Sequence, residues 1–470
     1  MRRATLIISL AGMALGSGCS LAPRYERPAA PIASTWGDAG TGRTAAELGW
    51  RDVFSDPRLQ RLIELALRNN RDLRVAALNV ELARAQYRIE RAAQLPTLGA
   101  GGGVEFRGTT DDIGREYRVG LGLSYELDLF GRVKNLKAAA LESYLATVEA
   151  RRGAHLALVS EIATQYLAER AFDEQLALAK RTLELVTQSS EVTQRLFEQG
   201  QRSELDVRTT EAQIQGARAE VARVTRLRVQ AENALVMLVG VRALPAGLPA
   251  AQPLETQPVV AELSAGVPSE VLLRRPDVLA AEHALRAANA NIGVARAAFF
   301  PSISLTGFGG LASTTLRGLV SGGALLWTAS ADLSQPLFTG GRLSATLDVA
   351  QVRKQIEVVR YEQAIQNAFR EVADALGGRA ALDEQLAAQL ARVAAEERRF
   401  AISETRYRAG IENYLTVLTA QRDLFVAQQQ LIETRLTRLT NLVRLYAALG
   451  GGWREGGGVT ASSSADPPGS

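Results

Sequence analysis

The stretch Tyr117-Arg-Val-Gly-Leu-Gly-Leu-Ser-Tyr-Glu-Leu-Asp-Leu129 decides how this chain is read. Its odd positions, Tyr117, Val119, Leu121, Leu123, Tyr125, Leu127 and Leu129, are all apolar, and Arg118, Gly120, Gly122, Ser124, Glu126 and Asp128 between them are small or polar. A strict period of two sustained over that length describes a β-strand with one face out of water and does not fit a helix. Thr97 to Arg107 alternates in the same way, with Leu98, Ala100, Gly102, Val104 and Phe106 on one face. Further along, Ser302 to Leu305 begins a strand, and Leu325, Trp327, Ala329, Ala331 and Leu333 face away from Thr328, Ser330, Asp332 and Ser334.

Four strands are therefore expected, over about 97–107, 115–129, 302–312 and 324–338, arranged as two hairpins. Their tips, Gly108 to Glu116 and about Ser313 to Gly323, are polar and Gly-rich. Strands of this length that are apolar on one face suit a transmembrane β-barrel, whose backbone groups must all pair and whose edges must close. Four strands cannot close a barrel with a lumen, so several chains must each contribute some, unless the strands instead form a half-buried sheet against soluble helices.

The strands belong to a duplicated plan. Arg91-Ala-Ala-Gln-Leu-Pro96 returns as Arg296-Ala-Ala-Phe-Phe-Pro301, and Asp72-Leu73 returns as Asp277-Val278, both 205 residues on. Phe130-Gly-Arg132 returns near Phe338-Thr-Gly-Gly-Arg342, and Leu196-Phe-Glu-Gln-Gly200 returns as Arg406-Tyr-Arg-Ala-Gly410. Two copies in constant order mean one architectural unit written twice.

Very long helices flank each strand pair. Arg132 to Gln199 contains no proline and only Gly153, while Arg342 to Ala409 contains no proline and only Gly377 and Gly378. Each stretch, if helical throughout, is roughly 100 Å long. Ile432, Leu436, Leu439, Val443 and Tyr446 step by 4, 3, 4 and 3, the spacing of a coiled-coil seam, and Ala281, Ala284, Ala288 and Ala295 form a seam of small residues. Gly200 and Gly410 stand where a left-handed residue closes one helix, and Ser203 or Asn413 is placed to cap the next. Both places read as helical hairpin tips, with returning helices from about Glu204 to Val239 and from about Tyr414 to Leu449.

Other segments read as an export signal and connectors. Arg2 and Arg3 precede the apolar run Ala4 to Leu15, which ends in Gly16-Ser-Gly18 and Cys19, so 1–18 is expected to be a removable signal peptide. Cys19 is the only cysteine, which rules out a disulfide within one chain and a thiolate metal cluster. Its setting resembles a bacterial lipobox, with Gly16 where leucine usually stands and Leu15 one position further back. Lipid on Cys19 is the expectation, with an ordinary signal peptide and an incidental cysteine as the other reading, and Ser20 in place of aspartate suggests sorting to the outer membrane. Residues 19–49 form a Pro-rich tether and 50–240 the first repeat. Residues 241–268, with Pro245, Pro249, Pro253, Pro258 and Pro268, form an extended connector, 269–450 the second repeat, and 451–470 a Gly/Ser-rich tail expected to be disordered.

Composition narrows the function. A formal charge of +4, with arginine interspersed among glutamate and aspartate, describes ion-paired helix faces better than a nucleic-acid surface. His155 and His283 stand alone with no metal-ligand spacing. Gly99-Ala-Gly-Gly-Gly103 lacks the Lys-Ser/Thr of a phosphate loop. No nucleophile–base constellation is visible, so no catalytic residue, metal or cofactor is expected.

Arg275-Pro-Asp-Val-Leu-Ala-Ala-Glu282, followed by Ala288-Asn-Ala-Asn-Ile-Gly-Val-Ala-Arg-Ala-Ala-Phe-Phe-Pro-Ser-Ile-Ser-Leu305, closely resembles the central signature of the TolC-like outer-membrane efflux channels. Together with Tyr407-Arg-Ala-Gly-Ile-Glu-Asn-Tyr-Leu-Thr-Val-Leu-Thr-Ala-Gln-Arg422, it is most similar to the lipoprotein branch that serves resistance-nodulation-division (RND) pumps. The resemblance covers about Trp50 to Gly450. It implies a mainly α fold with a small β part, in which three chains join four strands each into a twelve-strand barrel continuous with an α-helical barrel of coiled coils across the periplasm. The implied partners are two further copies in a homotrimer, a periplasmic adaptor (membrane fusion) protein, an inner-membrane RND transporter and outer-membrane lipid, with no nucleic acid. The implied function is passive conduction of small molecules, opened when the helical tips untwist against adaptor and pump.

By this resemblance Gly200 and Gly410 mark the adaptor-contacting tips, and the hairpin around Gly410 is the inner one. Arg406 and Tyr407 would tether the inner coil to its neighbour, with Asp206 a candidate partner, although an exposed helix end with no gating role is the other reading of both. Relatives often carry an aspartate on the inner helix nine residues after this glycine, and here that position is Thr419. An acidic constriction would then have to come from elsewhere, such as Asp423 or Glu412, while Leu415 is placed either to form an apolar constriction or to pack. Two other functions fit parts of the chain. A periplasmic coiled-coil lipoprotein with a tethering role has no need of Tyr117–Leu129, and a type I protein-secretion duct shares the fold.

Overall fold

A computed structural model describes residues 20–33, 43–44, 49–108, 113–256, 259, 263–264, 274–322 and 324–451. The expected signal peptide, Cys19, most of 257–273 and the tail after residue 451 lie outside the described residues. The helices are α1 (Trp50–Val53), α2 (Pro57–Asn69), α3 (Arg71–Ala92), α4 (Arg132–Glu198), α5 (Glu204–Val239), α6 (Pro276–Ala297), α7 (Leu316–Gly322), α8 (Arg342–Arg408) and α9 (Tyr414–Ala448). The strands of the larger sheet are β1 (Thr97–Gly108), β2 (Ile113–Leu127), β3 (Ser302–Ser313) and β4 (Ala324–Ser334), and Arg43–Thr44 pairs separately, in parallel, with Leu263–Ser264. Helices α4 and α8 each run 67 residues, about 100 Å, as the absence of proline allows.

The chain divides into two compact units, one of residues 1–30, 77–150 and 279–364, the other of 31–76, 151–278 and 365–470. In the first, the strands form an antiparallel sheet in the order β1-β2-β3-β4, so the central pairing, β2 with β3, joins the two repeats. Register determines what each face carries. Leu98 pairs with Leu123, which pairs with Gly307 and through it with Ala329, while Val119 pairs with Leu311 and Leu311 with Leu325. Every apolar odd position of β2 up to Leu127 thus shares a face with most of the large apolar side chains of the other strands, while Phe308 and Leu326 lie on the opposite face. Thr97, Ser124, Thr306 and Ser330 share the opposite face, where Arg118 bridges Glu105 at 3.1 Å and Glu116 at 2.9 Å.

Glycine at the centre of that polar face is sterically required. Gly120 pairs with Gly310, and a Cβ on Gly120 would lie 2.5 Å from the Gly309 carbonyl oxygen. The strands therefore approach more closely than side chains would permit.

Three details of the strands depart from the sequence reading. β2 covers 113–127 rather than 115–129, because the Leu129 N–H turns back to the Leu127 carbonyl at 3.0 Å and leaves the ladder. β4 stops at Ser334 rather than 338, just ahead of Pro336, which has no N–H to donate. The tip between β3 and β4, read as polar and Gly-rich, contains α7, started by Thr315, whose hydroxyl accepts from the Gly318 N–H at 3.2 Å.

The segment 19–49, read as a tether, is docked over its described start. Ser20 donates to Asn135 at 2.8 Å, Asn289 donates to the Pro23 carbonyl at 2.8 Å, and Arg296 donates to the Leu21 carbonyl at 3.1 Å. Arg27 forms a two-pronged pair with Glu282, at 3.1 and 2.8 Å, and Tyr25 donates to the same carboxylate at 3.2 Å. Glu282, Arg286, Asn289, Gly293 and Arg296 step by 4, 3, 4 and 3 along one face of α6, so the long signature is the face that holds this strap. Gly293 is part of that fit, since a Cβ there would lie 2.8 Å from the Ala22 nitrogen.

The second unit holds the main core. Trp50, Val53, Phe54, Leu62 and Ile63 pack with Val159, Ile162 and Tyr166 of α4, Leu235 of α5 and Val443 and Tyr446 of α9. Phe54 meets Tyr446 edge-on at 5.7 Å. Asp56 caps α2 by accepting from the Arg58 and Leu59 N–H groups and also accepts from the buried Tyr166 hydroxyl at 2.8 Å. Gly378 lets Asn441 of α9 approach α8, where Asn441 donates to the Ala375 carbonyl at 2.9 Å. The α9 seam is buried at Ile432, Leu439, Val443 and Tyr446.

Candidate functional site at the hairpin tips

Both hairpin tips are built alike. Gly200 and Gly410 take φ of +72° and +73°. At each, the glycine N–H and the one after it reach back to open helix carbonyls: Gly200 to Phe197 and Gln201 to Leu196, Gly410 to Tyr407 and Ile411 to Arg406. These paired bonds end α4 and α8 without leaving their last carbonyls bare. The return helices start on the side chains placed for it, with Ser203 accepting from the Asp206 N–H at 3.3 Å and Asn413 from the Thr416 N–H at 3.0 Å.

Asp206 is occupied by this cap. Its carboxylate accepts from the Ser203 N–H at 3.2 Å and the Ser203 hydroxyl at 2.9 Å, completing a reciprocal capping box. Within the chain it does not pair with Arg406 or Tyr407. Those two have other partners. Arg406 donates to Glu412 at 2.6 Å across its own tip. Tyr407 accepts a 2.6 Å hydrogen bond from Arg202 of the other hairpin, whose guanidinium also lies 4.9 Å from the tyrosine ring centre. Tyr407 in turn sits 5.3 Å from Tyr414, and the Tyr414 hydroxyl is 2.5 Å from Ser189 on α4. Burial raises the pKa of Tyr414, so it stays a neutral hydrogen-bonding group.

Magnitudes rank these ties. The Arg406 and Glu412 side chains are 52% and 28% exposed, a setting in which ion pairs contribute about 0.2–1 kcal/mol. The partly buried Arg202–Tyr407 bond combines a charged donor with a cation–π contact, worth about 2–3 kcal/mol together. The stronger link therefore joins the two hairpins, and Arg202 carries it. Sequence reasoning passed over Arg202. The repeat offered one signal, because Arg202 corresponds to Glu412, so each tip places a charged residue two positions after its glycine.

The remaining candidates lie along α9. Leu415 is exposed and borders a groove of about 370 Å³ between α4, α5 and α9, lined also by Val186, Gln213, Leu418 and Phe425. The Thr419 hydroxyl turns back to the Leu415 carbonyl at 2.9 Å, and Thr419 also lines the groove. Neither alternative acid is free of a cation. Asp423 is bound by Arg399 and Arg422, each at 3.0 Å, and the Arg422 hydrogen bond, with that from Arg399, holds its pKa below the usual value. Glu412 is held by Arg406. Among the described residues no three His, Cys, Asp or Glu side chains gather as a metal site, and His283 is hydrogen-bonded to Glu142 at 2.6 Å.

A sheet with a largely apolar face and, among the described residues, two open edges, carried by a chain whose long helices end in hydrogen-bonded hairpins, has the architecture of an outer-membrane channel protein. The model of the outer membrane efflux protein family matches residues 62–241 and 267–451, one stretch in each repeat, and the chain belongs to that family. A probable efflux pump outer membrane protein, SepC of Pseudomonas putida, is 46% identical over 469 residues, covering 96% of this chain and 97% of the relative. The outer membrane protein OprJ of Pseudomonas aeruginosa is 42% identical, covering 97% and 98%. Among solved structures, the open state of the MtrE outer membrane channel of Neisseria gonorrhoeae is 43% identical, with a TM-score of 0.86 over 93% of this chain and 99% of that one. The family is one of channels and not of enzymes, and the chain is an outer-membrane protein that extends into the periplasm.

Proposed function

We propose that this chain is the outer-membrane exit duct of a tripartite efflux pump, through which small molecules pass passively from the periplasm to the exterior. The observation that carries the reading is the four-stranded register, which gathers most of the large apolar side chains on one face, Phe308 and Leu326 excepted, and leaves the outer edges of β1 and β4 without partners among the described residues. Lipid accepts such a face only when every edge is paired. Three chains together supply twelve strands, enough to enclose a lumen. The polar face, with its Arg118–Glu105–Glu116 cluster and its small glycines, lines that lumen. A tethering lipoprotein would leave the apolar face without a purpose.

The partners follow from the helical tips. A periplasmic adaptor grips the hairpins at Gly200 and Gly410, and an inner-membrane RND transporter delivers the substrates. Tyr407 with Arg202, supported by Arg406 with Glu412, holds the tips in the resting state. Cys19 carries lipid one residue before Ser20, which the strap fixes to Asn135.

Single-channel recording of the detergent-extracted protein in a planar bilayer tests the reading. Small wild-type conductance that rises when Tyr407 is replaced by alanine is the expected result. A monomeric protein without conductance in either form would overturn it.

A further inference from the structure

Where the barrel strands give way to helices, the two repeats carry the same motif in unlike surroundings. Phe130, in Leu129-Phe-Gly-Arg132, stacks on Phe300 with ring centres 4.7 Å apart and planes at 19°. Its equivalent, Phe338, in Leu337-Phe-Thr-Gly-Gly-Arg342, is 92% exposed, and Leu337 is 93% exposed. The equivalent of Phe300 is Leu95, which follows from the alignment of Arg91–Pro96 with Arg296–Pro301, and Leu95 is 66% exposed. One member of the stack therefore comes from each repeat, and the chain forms only one of the two stacks that its duplication encodes.

The strand ladder repeats this asymmetry. The second strand of the first repeat pairs with the first strand of the second, whereas the converse pair, β4 with β1, is not formed within the chain. Carrying the β2–β3 register over by the repeat equivalences turns the pair Tyr125–Leu305 into Leu333–Ala100, and the pair Val119–Leu311 into Trp327–Phe106. Every residue so matched lies on the apolar face, so the transferred pairing obeys the alternation of the sheet.

We infer that Phe338 of one chain packs on Leu95 of a second copy, as Phe130 packs on Phe300 within a chain, and that this contact sets the seam at which β4 of one copy joins β1 of the next. The inference rests on the trimeric reading above and adds to it the partner, the register and the two residues that meet. A seam made by repeating an internal contact is a head-to-tail interface, the kind that closes rings. Leu337 and Phe338 are apolar and bare in the single chain because their partner lies on another.

Leu95→Cys with Phe338→Cys in the full-length chain, treated in membranes with a short bifunctional methanethiosulfonate, tests the contact. Phe130→Cys with Phe300→Cys, whose link stays within one chain and is read by peptide mapping, calibrates the reagent. Dimers and trimers on denaturing gels from the first pair, and monomers from each single variant, are the expected result. Absence of linked bands from a double variant that native mass spectrometry shows to be trimeric would overturn the seam and leave the trimer standing, while a monomeric wild type would overturn the trimer and the seam with it. Phe338→Trp in a chain that also carries Trp327→Phe, read against Trp327→Phe alone, gives a second readout that does not depend on cysteines. Weak fluorescence quenching by brominated phospholipid fits a residue covered by protein, and strong quenching would place it in lipid and overturn the proposal.

Discussion

Arg275 donates from Nη1 to the carbonyl oxygen of Ala448 at 2.7 Å, pinning the start of α6 to the end of α9. The first repeat makes the same tie with a different residue, as Asn70 donates to the Leu238 carbonyl at 2.8 Å at the end of α5. Arg275 is buried and also pairs with Asp277 at 2.7 Å and Glu371 at 2.9 Å. Arg275→Met leaves a helix-end carbonyl without its donor and is expected to lower stability by about 2–4 kcal/mol, against about 1–2 kcal/mol for Asn70→Ala. Unfolding transitions of the two variants in detergent check the order, and equal losses would show that the added charge contributes nothing.

Tyr407→Phe removes the acceptor of the Arg202 bond but keeps the ring beneath the guanidinium, whereas Tyr407→Ala removes both. Conductance is expected to rise from wild type to phenylalanine to alanine, with Arg202→Ala close to the alanine variant. If Arg202→Ala leaves conductance at the wild-type level, the latch lies elsewhere.

Strap docking is expected to depend on pH through Glu282. Burial pushes the pKa of this carboxyl up, but the hydrogen bond from Arg27 and the charge of Arg286 outweigh that, leaving it below its ordinary value. A group depressed in the folded state contributes stability above its unfolded pKa, about 4.3, and loses it as pH falls through the lower folded value. A spin label at Ala29→Cys is expected to be immobile at neutral pH and to gain a mobile fraction as pH falls through the lowered folded value. With Glu282→Gln the label should be mobile throughout, and an immobile label in that variant would disprove the dependence.

Two glycines should respond differently to the same change. Gly410→Ala meets open space and bears only the cost of a left-handed φ, about 1 kcal/mol, so folding persists. Gly293→Ala drives a methyl into Asn135 and the Ala22 backbone and should free the strap, read by the same spin label.

Thr419→Asp is expected to make the channel sensitive to block by multivalent cations, because it adds one carboxylate per chain near a tip whose Glu412 and Asp423 are already bound by arginine. The wild type should pass current in their presence. Block of the wild type that disappears in Asp423→Asn would show that Asp423 faces the pore uncompensated.

Local physics made much of this protein legible from its residues. The period of two in Tyr117–Leu129, the proline-free runs and the glycines at 200 and 410 each act within a few residues, and backbone geometry answers to them directly. Duplication, read as repeated motifs, announced that the architecture would be built twice. The partners of particular side chains were decided only in three dimensions. Tyr407 meets Arg202 across 205 residues, Arg27 meets Glu282 across 255, and Asp206 turns inward to its own cap. Periodicity says which face of an element leaves water, but a polar side chain on a helix has several charged neighbours within reach, and packing of distant segments selects among them. The strap shows the difference most clearly: its proline-rich composition reads as free chain, and the complementary face of α6, far away in sequence, orders it.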